Sequence, residues 1–151
     1  MPQGTREKES VVMTGLFVTV FAAGAALQDL KKDKIYNVYV LAGVLTGLIL
    51  CVATGGLRSL PVRMAWTVCA LCIMMPVYLV GGLGAGDVKF LAGIAAFLPY
   101  REWFFVTCAA FVITALYGVG RLLVKRSLHG TVHFAVPVFA GVLLLQGVRY
   151  L

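Results

Sequence analysis

The chain of 151 residues is 61% hydrophobic and 13% charged, with a mean hydropathy of +0.96. Soluble domains are about half apolar and about a quarter charged, so a chain of this size cannot hide so much apolar surface in a soluble core. The net charge of +7 does not point to nucleic acid either, because the basic residues fall mostly in short connections between apolar runs, where they anchor helix ends and set topology.

Residues 1–10 read as a polar tail. Residues 11–27 form a first apolar run, about long enough to span a bilayer. Arg6 and Lys8 ahead of a run ending in Ala22-Ala23-Gly24-Ala25-Ala26 look like a cleavable leader. Cleavage there would detach the run from Asp29, and it is read as a retained span. Residues 28–34 form a charged connection holding Asp29, Lys31, Lys32, Asp33 and Lys34. A second span covers residues 35–53, ended by Thr54-Gly55-Gly56, and Arg58, Pro61 and Arg63 mark a loop. The third span is 64–80, with Pro76 near its end. A short apolar run follows at 88–98, stopped by Pro99 and by the polar turn containing Arg101 and Glu102. Residues 103–124 form a long span opened by aromatics, as expected at a membrane interface. After a basic loop at 125–130, residues 133–148 form the last span, with Pro137 inside it. The expectation is an all-α membrane protein, a bundle of about six transmembrane helices with a short fourth, in one domain over residues 1–151.

Asp and Glu together number only six. Glu7 and Glu9 fall in the tail and Glu102 in the turn, which leaves Asp29, Asp33 and Asp87 beside apolar runs. An ionisable residue beside a membrane span is costly and is a functional hypothesis by default. Asp87 follows Gly81-Gly82-Leu83-Gly84-Ala85-Gly86, four glycines in six residues. The connection after helix 1 and the one before helix 4 fall on the same membrane face whichever way up the chain sits, so Asp29 and Asp87 can meet. Two close carboxylates share a proton, and one can activate a water while the other protonates a carbonyl, with no metal or cofactor. Gly84 and Gly86 would let the backbone take strained dihedrals and lie close to an extended substrate. Blander readings stand beside these. Asp87 also suits a helix N-cap, Asp29 and Asp33 suit interfacial charges balanced by lysines, and the glycines suit a helix-packing patch. His133 and Lys89 suit interfacial polar residues. Cys69 and Cys72 have C-x-x-C spacing but lie inside an apolar run without a second pair, and read with Cys51 and Cys108 as small helix residues.

Gly84-Ala85-Gly86-Asp87-Val88-Lys89 resembles the G-x-G-D motif of the type IV prepilin leader peptidases, which are intramembrane aspartic proteases. A second stretch resembling the family is Asp29-Leu30-Lys31-Lys32-Asp33-Lys34-Ile35-Tyr36-Asn37, where an aspartate ending helix 1 precedes an Ile-Pro-Asn-like turn. Here Tyr36 stands in place of the usual proline. Phe134-Ala135-Val136-Pro137 is similar to the family's proline-containing final segment.

The resemblance covers nearly the whole chain and is to the short, peptidase-only branch associated with tight-adherence pili. The insertion and paired C-x-x-C motifs of the methylating enzymes are missing. It implies Asp29 and Asp87 as the catalytic dyad, with Gly84, Gly86 and Lys89 as motif residues beside the substrate. It also implies no cofactor or metal, and a prepilin or pseudopilin substrate cut at the cytoplasmic face of a bacterial inner membrane. Further partners would be the lipid bilayer and pilus or secretion machinery, not nucleic acid. Charge alone orients the chain weakly, the densest lysine clusters favouring an N-terminus outside. The competing classes are a small ion- or proton-coupled transporter and a non-catalytic pilus or secretion subunit.

Overall fold

The computed structural model describes residues 3–32, 34–125 and 133–150. Its helices are α1 (Gln3–Lys32), α2 (Asn37–Gly55), α3 (Leu60–Leu79), α4 (Ala85–Phe97), α5 (Tyr100–Lys125) and α6 (Ala135–Tyr150), with a 3₁₀ turn at Leu57–Ser59 before α3. No strand occurs among the described residues. The all-α membrane bundle expected from the sequence is what forms. Four helices, α1, α2, α3 and α5, are long and apolar enough to cross a membrane. At 16 residues α6 is shorter, and α4 has 13. At ~1.5 Å per residue α4 reaches roughly 20 Å, against ~30 Å of hydrocarbon.

That short helix is the centre of the fold. Beyond its polar first residues it is apolar on all sides, the pattern of a helix with no solvent or lipid face, and every residue from Phe90 to Phe97 is buried. It packs mainly against α2 and α3, with α1 and α5 beside it, while α6 bridges α1 and α5. Large side chains face lipid instead, as at Leu16, Val38, Ile49 and Leu116.

Small residues let these helices approach. A Cβ on Gly47 would stand 2.8 Å from the Ala96 carbonyl carbon, so α2 touches the α4 backbone there. The Phe21 ring lies over Gly43 and Gly93, stacked on Tyr39 at 5.2 Å and tilted against Phe90 and Phe97. The Tyr39 hydroxyl donates to the Phe21 carbonyl at 2.8 Å.

Several boundaries differ from the sequence reading. The polar N-terminal residues continue α1 back to Gln3, because Thr5 to Ser10 contain nothing that breaks a helix. At its other end α1 runs through Lys32 and absorbs most of the expected connection. Pro61 and Arg63 lie in α3, where a first-turn proline gives up only an N–H that has no helical partner. Glu102 lies in the first turn of α5. Trp103 is not an interfacial anchor. It is fully buried, its indole N–H donating to the Leu91 carbonyl of α4 at 2.8 Å, which a buried indole requires. The basic loop at 126–130 and Asp33 lie outside the described residues.

Polar contacts close the end of the bundle away from the α4 N-terminus. Arg149 of α6 donates twice to Glu102 of α5, once from Nε at 3.1 Å, and Gln146 donates to the Gly15 carbonyl of α1 at 3.1 Å. The tightest constraint in the interior remains the α2–α4 contact. Gly47→Ala pushes a methyl into backbone that cannot rotate away, and is expected to cost about 1–3 kcal/mol, read as a lower melting temperature in detergent.

Candidate active site

Asp29 is placed by the buried stripe of α1. Val18, Ala22, Ala25 and Asp29 follow one another at helical spacing, and all face the interior. The carboxylate is 8% exposed. It sits in the last turn of α1, where unpaired helix carbonyls disfavour an anion. The compensation comes from α6. The Ala135 backbone N–H, at that helix's positive end, donates to Oδ2 at 3.2 Å, and His133 Nδ1 lies 3.8 Å from Oδ1. Lys31 and Lys32 lie in the same last turn of α1 and favour negative charge there.

Asp87 lies at the third position of α4. Gly84 is the N-cap residue, and Asp87 Oδ2 accepts from the Gly84 N–H at 3.3 Å. Glycine has no side chain to return the bond, so this is one half of a capping box. The carboxylate is therefore both a helix cap and a cleft residue. Gly84 has an ordinary extended backbone (φ −73°, ψ 153°) and Gly86 has no positive φ, so the expected strain is not at these positions. The left-handed residue is Gly81, at φ +77°, which turns the chain out of α3. Gly84 serves by close approach, since a Cβ there would stand 3.1 Å from Asp87 Oδ2.

Both carboxylates open on one cleft of about 480 Å³, lined also by Lys34, Ile35, Tyr36, Asn37, Gly84, Ala85, Gly86 and Lys89. α4 does not span the membrane, so Asp87 lies outside the spanning segments. Burial and the neighbouring charge of Asp29 push its carboxyl up to about 6, against the opposing pull of the Gly84 N–H. Lys89 donates to Asn37 Oδ1 at 3.1 Å and ties the N-terminal part of α4 to the first residue of α2. Among the described residues no group of three or more His, Cys, Asp and Glu side chains is placed to hold a metal.

Tyr36 shows how the turn tolerates its departure from proline. Its φ of −72° is one that proline adopts, and its N–H, which proline would lack, donates to Gln28 Oε1 at 3.3 Å. Lys32 Nζ lies 5.0 Å over its ring and donates to its hydroxyl. Of the sequence candidates, Asp29, Asp87, Gly84, Gly86 and Lys89 all line this cleft. What sequence reasoning missed is the α6 contribution, because nothing in the sequence placed the start of α6 against the end of α1.

A family model for the type IV leader peptidases matches residues 16–119, more than half of the chain and both aspartates. The chain belongs to the type IV leader peptidase family. Membership makes this multi-pass membrane protein a protease with prepilin-type substrates. No curated protein and no solved structure matches the chain significantly. The α6 partners of Asp29 lie beyond the segment matched to the leader peptidases.

The raised Asp87 carboxyl has a consequence for stability. The folded chain holds that proton up to about 6 and the unfolded chain only to its ordinary 3.8, so the stabilisation is complete below 3.8 and is lost as pH rises through about 6. A neutral asparagine escapes that loss. Asp87→Asn should match wild type in acid and melt higher than it above pH ~6, by an equivalent on the order of 2–3 kcal/mol. Thermal unfolding across pH in detergent checks this.

Proposed function

We propose that the chain is an intramembrane aspartic endopeptidase that removes the short basic leader from a prepilin or pseudopilin. The observation that carries the reading is the convergence of Asp29 and Asp87, from the end of α1 and the start of α4, on one cleft, where the charge of Asp29 helps to raise the Asp87 carboxyl. Aspartic-protease chemistry needs that arrangement, two carboxylates sharing one proton.

In this mechanism Asp87 carries the proton, and Asp29 is the base for a water in the cleft. A substrate that fills the cleft excludes solvent and strengthens the hold of Asp87 on its proton. Asp29 takes a proton from the water as its oxygen bonds to the scissile carbonyl carbon, while Asp87 gives its proton to the carbonyl oxygen, forming a gem-diol. Asp29 then passes its proton to the leaving nitrogen as the C–N bond breaks. Asp87 recovers a proton from a diol hydroxyl, and the pair is restored.

Gly84 and Gly86 present backbone without side chains along the cleft, which leaves room for an extended substrate. Lys89 holds α2 to α4 through Asn37 and keeps the cleft mouth in register. The exposed lysines at this end, Lys31, Lys32, Lys34 and Lys89, favour a cytoplasmic orientation in a bacterial inner membrane. Leader removal without methylation fits a chain that lacks the cysteine-bearing insertion of the longer enzymes.

Co-expression with a candidate prepilin tests the dyad. Wild type and Asp33→Asn should shorten the pilin on a gel, while Asp29→Asn and Asp87→Asn should reduce cleavage by at least ~100-fold, the scale of a lost acid or base. Equal cleavage by all four would end the aspartic reading. With purified protein, kcat/KM should fall on the alkaline side with a midpoint near 6, the free enzyme's Asp87 value. The corresponding limb of kcat should lie at higher pH.

A further inference from the structure

A carboxylate that is to act as a base must be kept available to water and turned toward its target. Asp29 meets two obstacles. It is almost wholly buried, and it stands at the negative end of its own helix. Its two oxygens are met separately at the entry to α6, Oδ2 by the Ala135 N–H at 3.2 Å and Oδ1 by Nδ1 of His133, two residues ahead of the helix, at 3.8 Å. The second distance exceeds a hydrogen bond but lies within ion-pair range, and contacts of this kind commonly tighten when substrate binds.

His133 also lines a second cavity, of about 280 Å³, with Leu30, Tyr117, Val136, Pro137 and Ala140. Asp29 does not line that cavity, and His133 does not line the dyad cleft. The imidazole thus stands behind the carboxylate, between it and an apolar space. The charged groups on the cleft side of Asp29 are Asp87, Lys34 and Lys89, and Tyr117 is the other titratable group in the His133 cavity.

We propose that His133 is a positioning residue, which with the Ala135 N–H grips both oxygens of Asp29 and keeps that carboxylate turned into the cleft. The inference rests on the peptidase reading, and extends the site to a helix outside the segment the family match covers.

The test uses the full chain in liposomes and a synthetic prepilin-type substrate with a basic leader, a glycine at the cleavage position and an apolar helix. His133→Ala should lower kcat by about 10- to 100-fold, the scale of a misplaced reacting group, with KM within about twofold. His133→Gln, which keeps a donor, should recover most of the rate. His133→Leu, which keeps bulk without a donor, should behave as His133→Ala does. If Leu restores the rate, or Gln does no better than Ala, the role is packing and the proposal is overturned. If wild type cuts and His133→Ala matches its kcat, this inference alone falls. If wild type does not cut, the peptidase reading falls and takes the inference with it.

Discussion

An anion at the wrong end of its own helix is the constraint on which this structure turns. Asp29 ends α1, where the helix dipole opposes negative charge, and it is sealed from most water. The bundle answers by setting the positive end of α6 against it, with the Ala135 N–H in contact and His133 close by. That requirement fixes where α6 begins relative to where α1 stops. The Glu102–Arg149 and Gln146–Gly15 contacts hold the far end of α6 to α5 and α1.

The second carboxylate is placed by a different device. α4 is too short to cross a membrane, and from Phe90 onward it is apolar on every face, which suits it to the inside of the bundle. Gly47 and Gly43 of α2, and Gly93 of α4 itself, make room for it and for the Phe21 ring. The N-terminus of this buried helix, and Asp87 with it, opens on the same cleft as the α1 terminus. Trp103 then locks α5 to α4 through the Leu91 carbonyl.

Much of this was legible in the chain. Composition and the spacing of apolar runs give the helices, and the scarcity of acids narrows the candidates to Asp29, Asp33 and Asp87, of which the family resemblance selects Asp29 and Asp87. The parity of spans puts both on one face. The boundaries were less legible, because polar residues such as Lys31 and Lys32 extend a helix as readily as they form a connection. The stripe of Val18, Ala22 and Ala25 could have shown that Asp29 is a buried helical residue rather than a loop charge. Trp103 was misread because an aromatic opening a span looks the same whether its indole faces headgroups or a neighbouring carbonyl. The α6 partners were out of reach, since contact between residues about a hundred positions apart leaves no periodic trace.

The central claim is that the end of α1 and the start of α4 bring two carboxylates into one cleft within a single chain. The most direct measurement replaces Asp29 and Asp87 by cysteine in a chain freed of Cys51, Cys69, Cys72 and Cys108, and treats membranes with a short bis-maleimide. The chain is then cut between α2 and α3. The account predicts that the two fragments stay covalently joined, and that each single-cysteine chain takes up the reagent without joining. Two cysteines that each react but never link would place the carboxylates apart and contradict it.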